Sequence, residues 1–283
     1  MSIDARAVRA SYLIRQRFRY AYPGPIRHLR HRLVVAPPLV YGDQRRIDHS
    51  LIVAPPLNVV WDEDEFGNST ATVGAERIFE AVEFVYEATI ERSMSLPPTI
   101  AASAITDPRY RGPSLLTAPS EEMRLVAKRL RARGGGPYAL AERINHFVAS
   151  HMRYVAGTTS VETAAAEAYA LGTGVCQDYA HVMIAIARAS GLAARYVSGH
   201  LIGEGGTHAW VEVLGPAVDR SRAVVWAFDP THGRRTTMDY VFVASGRDFA
   251  DVTPTSGRFV APYIGEFTSA RSLDLLDVER AAG

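Results

Sequence analysis

Three residues of this chain have types and surroundings suited to nucleophilic chemistry: Cys176, His208 and Asp229. Cys176 is the single cysteine among 283 residues. It stands in GTGVCQDYAHVMIAIARASG, residues 172–191. Gly172 and Gly174 lead into it, and Ala180, Met183, Ile184, Ala187 and Ala189 recur at the steps of one helix face until Gly191 stops the pattern. The spacing predicts a helix whose first turn carries Cys176. Backbone N–H groups without intrahelical acceptors and the positive end of the helix dipole meet there, which favours a thiolate.

A cysteine nucleophile needs a base, and the base needs an orienting acceptor. His208 opens the strand HAWVEVL. On a strand, His208, Trp210 and Glu212 share one face, and Ala209, Val211 and Val213 the other. The apolar set is expected to pack inward, leaving His208 on the cleft side with Trp210 as a candidate cleft wall. Asp229 ends the apolar strand VVWAFDPT, so its carboxylate is expected to be semi-buried and to need a donor. If the two strands are neighbours, Asp229 accepts from one ring nitrogen of His208 and the other faces Cys176. Singly these residues are ordinary: a lone cysteine fills cores, and Asp before Pro forms turns. The combination is what points to chemistry.

The elements that must position them divide the chain. Residues 1–95 read as a β-rich domain: SYLIRQRFRYAY alternates, Pro23-Gly24-Pro25 turns it, and residues 78–92 alternate again. Many short strands with regular turns predict a β-sandwich. In residues 14–20 the arginines alternate with Ile14, Gln16, Phe18 and Tyr20, the pattern of a half-buried strand with one solvated face. Residues 96–119 are rich in proline and read as a linker or strap. Residues 120–283 form the expected catalytic domain. Ser120 caps a helix reaching about Arg133, Pro137 opens a second to about His151, and Ala164–Leu171 is a shorter third before the Cys176 helix. After Gly191 the period switches to strands: AARYVSGHLI, THAWVEVLG, AVVWAFDPT, then shorter ones near Tyr240–Val243 and Arg258–Phe267. A helical cluster on an antiparallel sheet, behind a β-sandwich-like domain, is an α+β chain.

Composition narrows the function. The net charge of +1 gives no general argument for nucleic acid, and no aromatic platform interleaves the arginines. One cysteine leaves no internal disulfide to expect, the first residues lack a signal-peptide core, and no apolar run is long enough to cross a bilayer; these point to a soluble, cytoplasmic chain with no membrane partner. The nine histidines show no zinc-type spacing and no phosphate loop appears, so no metal or cofactor is expected. Asp178 is read as serving the helix start, His181 as a hydrogen-bonded core residue, and His232 as an exposed turn residue.

The blocks CQDYAH, ARYVSGHL, HAWVEV and AFDPT resemble the signature blocks of the transglutaminase-like superfamily, more narrowly the bacterial transglutaminase-like cysteine-protease group. YAYPGPIRHLRHRLVVAP and the DEFGN turn resemble that group's β-rich leader. The departures are Tyr179, where Phe is common, and His200, where an aromatic is usual. The resemblance implies a papain-like catalytic domain with Cys176 as nucleophile, His208 as base and Asp229 as orienting acid. It implies acyl transfer through a thioester on a peptide or protein substrate: hydrolysis of peptide or isopeptide amides, or alternatively transfer to an amine, or a binding scaffold that has kept the fold without activity. The backbone N–H of Cys176 supplies one oxyanion donor, and Tyr154 and Gln177 are the candidates for the second. Oligomeric state is left open.

Overall fold

A computed structural model describes residue 3, residues 6–93 and residues 97–281. The strands of five or more residues are β1 (Ala7–Ala21), β2 (Ile26–Ala36), β3 (Gln44–Ala54), β4 (Val59–Glu63), β5 (Ser69–Ile78) and β6 (Ala81–Ser93) in the first part of the chain. Helices α1 (Glu121–Arg131), α2 (Pro137–His151), α3 (Ala165–Leu171) and α4 (Cys176–Ala189) follow. Strands β7 (Ala193–Leu201), β8 (His208–Pro216), β9 (Arg222–Asp229), β10 (Tyr240–Gly246), β11 (Thr255–Val260) and β12 (Glu266–Arg280) complete it.

Period-two burial makes the first half a sandwich. Along β1, Tyr12, Ile14 and Phe18 point into the core. The intervening arginines lie outside, Arg17 paired with Glu83 and Arg15 with Glu87 and Asp274. One antiparallel sheet runs β12-β1-β6-β3 and the facing one runs β11-β2-β5-β4. Ile26, Leu29 and Leu33 meet Tyr12, Phe18 and Phe84 in a shared core.

The third sheet has β9-β8-β7-β10 at its centre and packs on the helices. Ser120 accepts from the Met123 N–H at 3.2 Å and starts α1 as expected. Helix α4 is buried, as its sequence suggested: Gln177 to Arg188 are all out of solvent, on every face, and of the expected apolar set Ala189 is exposed. The reason lies in its place: α4 is packed by α1, α2, α3, β7 and β8 together. Arg188 survives there because its guanidinium donates to the carbonyls of Ala194 and Arg247 and to Thr117.

The expected division at residues 95 and 119 does not describe the chain's path. The last two long strands leave the third sheet and join the sandwich, β11 beside β2 and β12 beside β1. The sequence concealed β12 because it is an edge strand with only Leu273 buried, so its hydrophobic alternation is faint. Of the expected linker, residues 97–119 are described, and they are anchored: Thr99–Ala101 pairs with β9, and Tyr110, Leu116 and Thr117 are buried. Among the described residues, no helix is long and apolar enough to cross a membrane.

The sandwich docks on the outer face of the third sheet through buried polar pairs. Glu212 takes bonds from Arg195 and Tyr41, each at 2.8 Å. Gln44 bonds both backbone groups of Phe242, and Asn68 both of Ser245. Glu212→Ala would leave Arg195 charged, buried and unpaired; it is expected to cost about 3–5 kcal/mol in urea unfolding. A second expectation concerns acid. Burial holds His31 and His200 down to about 4, from an ordinary value near 6.5. Native rings stay neutral while unfolded ones protonate, so their contribution is intact above pH 6.5 and drains away as pH falls to 4. Unfolding curves between those pH values are expected to lose up to about 3 kcal/mol per ring, and His31→Gln to flatten part of that loss.

Candidate active site

Cys176 is the first residue of α4, partly exposed at the floor of a cleft of about 680 Å³. The helix start is locked by Asp178, whose Oδ2 accepts from the Val175 N–H at 2.8 Å and the Thr159 hydroxyl at 2.7 Å. Gly174 is required beside it, because a Cβ there would stand 2.6 Å from the Asp178 side chain. Asp178 therefore serves the helix end, as its sequence position suggested. His181 is fully buried and accepts from the Phe249 N–H, a core role.

β8 delivers His208 and its neighbour β9 delivers Asp229, the register pairing Val211 with Phe228. His208 Nε2 lies 2.8 Å from Asp229 Oδ2. Cys176 interacts with the same ring, and Glu204 Oε2 lies 2.9 Å from its Nδ1. Burial opposes a charged ring, but the hydrogen bond to Asp229 and the nearness of Cys176 and Glu204 outweigh it and push His208 up to about 12.

Asp229 is completely buried rather than semi-buried. Oδ2 also accepts from Tyr240 and from His232 Nδ1, each at 2.7 Å, and Oδ1 accepts from the Thr231 N–H at 2.9 Å and the His232 N–H at 3.3 Å. Burial alone would raise this carboxyl; the hydrogen bonds from His208 and His232 hold it well below the ordinary carboxylate range.

Residues 124–244 match the transglutaminase-like superfamily, and residues 12–91 match the bacterial transglutaminase-like N-terminal region. The chain belongs to the transglutaminase-like superfamily. An uncharacterized protein of Mycobacterium leprae is 32% identical over 155 residues, covering 51% of this chain and 53% of the relative. An uncharacterized protein of Mycobacterium tuberculosis is 40% identical over 115 residues, covering 37% of this chain and 36% of the relative. The matches thus span about half, or less, of these curated relatives. A solved structure of a candidate cysteine protease from Cytophaga hutchinsonii superposes with a TM-score of 0.76 at 22% identity. It covers 96% of this chain and 93% of that one, which shows the shared fold.

Within this transglutaminase-like frame the other expected residues separate. Tyr154 and Gln177 both line the cleft. Gln177 is buried with its amide donating to the Val161 carbonyl at 3.1 Å, whereas Tyr154 is 59% exposed. Tyr154 is raised by burial and then by its electrostatic interaction with Cys176. Trp210 is not a cleft wall. It is buried with Val197, Leu201 and Phe242 and packs edge-on against Tyr240 at 5.6 Å, because the sandwich covers that face of the sheet. Close packing at this point also excludes a side chain at position 199, where a Cβ would meet the Trp210 ring at 2.3 Å.

Sequence reading passed over Glu204, His232 and Tyr240. His232 is exposed, as expected of a turn residue, with its side chain 37% accessible, but its ring also turns back onto Asp229, three residues earlier. The Asp-Pro-Thr-His spacing was the available signal, since an Asp that bonds the backbone two and three residues on brings that side chain home. The absence of a zinc-type spacing is likewise qualified by the fold, which brings Glu204, His208 and His232 from separate segments within 4.8 Å of one another. In Asp229→Asn, loss of the carboxylate is expected to lower the titration midpoint of His208 markedly. NMR of the ring resonances reads it; an unchanged midpoint would remove Asp229 from the role of its electrostatic partner.

Proposed function

We propose that this chain is a transglutaminase-like cysteine hydrolase that cleaves peptide or isopeptide amides, with Cys176 as nucleophile, His208 as proton carrier and Asp229 as the residue that orients it. The observation that carries the reading is His208, held by a fully buried Asp229 and lining the same cleft as Cys176, with which its ring interacts. The helix dipole and the charged ring both favour negative sulfur. The thiolate attacks the amide carbon, and the carbonyl π pair moves onto oxygen. The backbone N–H of Cys176 and the hydroxyl of Tyr154 supply the oxyanion donors in this reading. Collapse breaks the C–N bond, His208 gives its proton to the departing amine, and a thioester remains. Neutral His208 then takes a proton from water as its oxygen attacks the thioester, releasing the acid and the thiolate. Partial exposure of Cys176 lets water reach the thioester.

Screening amide and isopeptide peptides against the purified chain tests this, with a labelled amine added to detect transfer. Cys176→Ala is expected to abolish turnover, and Tyr154→Phe to lower kcat on the order of a hundredfold with little change in KM. Iodoacetamide at neutral pH is expected to alkylate Cys176 much faster in the native chain than in His208→Ala. Equal, slow rates in the two proteins, or turnover surviving in Cys176→Ala, would sink the proposal.

A further inference from the structure

Beside the nucleophile lies a group of side chains that amide hydrolysis does not use. Glu204, on the loop between β7 and β8, and His232, just after β9, flank His208. Both rings turn a nitrogen toward the same Asp229 oxygen, His208 Nε2 at 2.8 Å and His232 Nδ1 at 2.7 Å. Their remaining nitrogens, His208 Nδ1 and His232 Nε2, therefore project to one place, where Glu204 presents a carboxylate oxygen to each at 2.9 and 3.7 Å. Those separations bracket the ligand-to-ligand distance of about 3.3 Å that tetrahedral zinc with bonds of about 2.0–2.1 Å requires. His208 is 2% exposed, yet its Nδ1 makes no well-aligned hydrogen bond, Glu204 being close but out of line. Histidines anchored through their distal nitrogens by a carboxylate form the support that metal-binding imidazoles ordinarily have.

We propose that Glu204, His208 and His232 form an inhibitory zinc site. Two imidazoles and one carboxylate suit zinc better than calcium or magnesium, which select oxygen ligands. Three protein ligands leave one coordination position open. Zinc bound at Nδ1 takes the place of the proton the ring holds there and releases it to solvent, so the ring can no longer carry a proton for the thiol. The inhibition rests on the hydrolase reading above; the binding of zinc does not.

The experiment titrates metal-free chain with zinc ions alone by calorimetry, alongside Glu204→Gln and His232→Gln, and follows Cys176 alkylation with and without zinc. One zinc per chain is expected, with affinity weakened on the order of tenfold or more in each variant. Alkylation of the native chain is expected to slow on adding zinc and to recover with EDTA, with the two variants resisting at the same zinc concentration. Circular dichroism verifies that both variants are folded. Absence of binding at millimolar zinc, or equal affinity in native chain and folded variants, overturns the site; the latter would mean a site centred elsewhere, such as the thiol itself. Stoichiometric zinc that leaves alkylation untouched overturns the inhibition. Slow alkylation in the metal-free native chain would instead count against the hydrolase reading, and the calorimetric result would stand apart from it.

Discussion

A carboxylate sealed from water is the constraint around which the candidate site is built. Asp229 has no exposed surface, so its charge persists only because donors saturate it: His208, His232, Tyr240 and two backbone N–H groups. Each donor fixes a different part of the molecule relative to the acid. The backbone bonds shape the turn after β9, Tyr240 ties in β10, and His208 sets the start of β8. Trp210 closes the arrangement by packing against Tyr240. Positioning of the ring beside Cys176 is thus a property of the whole sheet.

The helix and the sandwich contribute by opposite means. Burial on all sides holds α4 in place, so the position of Cys176 depends on packing against five elements. The sandwich is held by polar pairing instead, through Arg195, Glu212 and Tyr41 and through the side-chain amides of Gln44 and Asn68. Such pairs specify register more sharply than apolar contact does, because a slipped arrangement leaves buried groups unsatisfied. The sandwich also reaches the cleft: Tyr20, Thr255, Phe267 and Arg271 share its lining with Cys176 and His208. The β-rich region is therefore part of the cleft wall.

What the sequence disclosed follows from where the signal is local. The helix beginning at Cys176, the strand beginning at His208 and the strand ending at Asp229 each carry a period of their own, and neighbouring strands of one meander pair. The sandwich showed itself the same way, through the alternation of residues 14–20. Other features arise from distant segments. Nothing near Trp210 announces that Tyr41 and Phe242 will cover its face of the sheet. Nothing within the loop of Glu204 announces His232, and the weak alternation of β12 gives no hint of its partner. These are long-range facts, fixed by packing and not by propensity.

The pairing of β12 with β1 carries a consequence for biosynthesis. A strand made among the first residues waits, with one edge open, for a strand made among the last. During translation a nascent sandwich would expose that edge until β12 is made, and another on β2 until β11 is made. Phe267 and Arg271 of the cleft arrive only with β12. A chain cut short before β12 would carry Cys176, His208 and Asp229 but an incomplete cleft wall, so the sandwich strand furthest along the sequence is what closes the cleft around a nucleophile some ninety residues earlier.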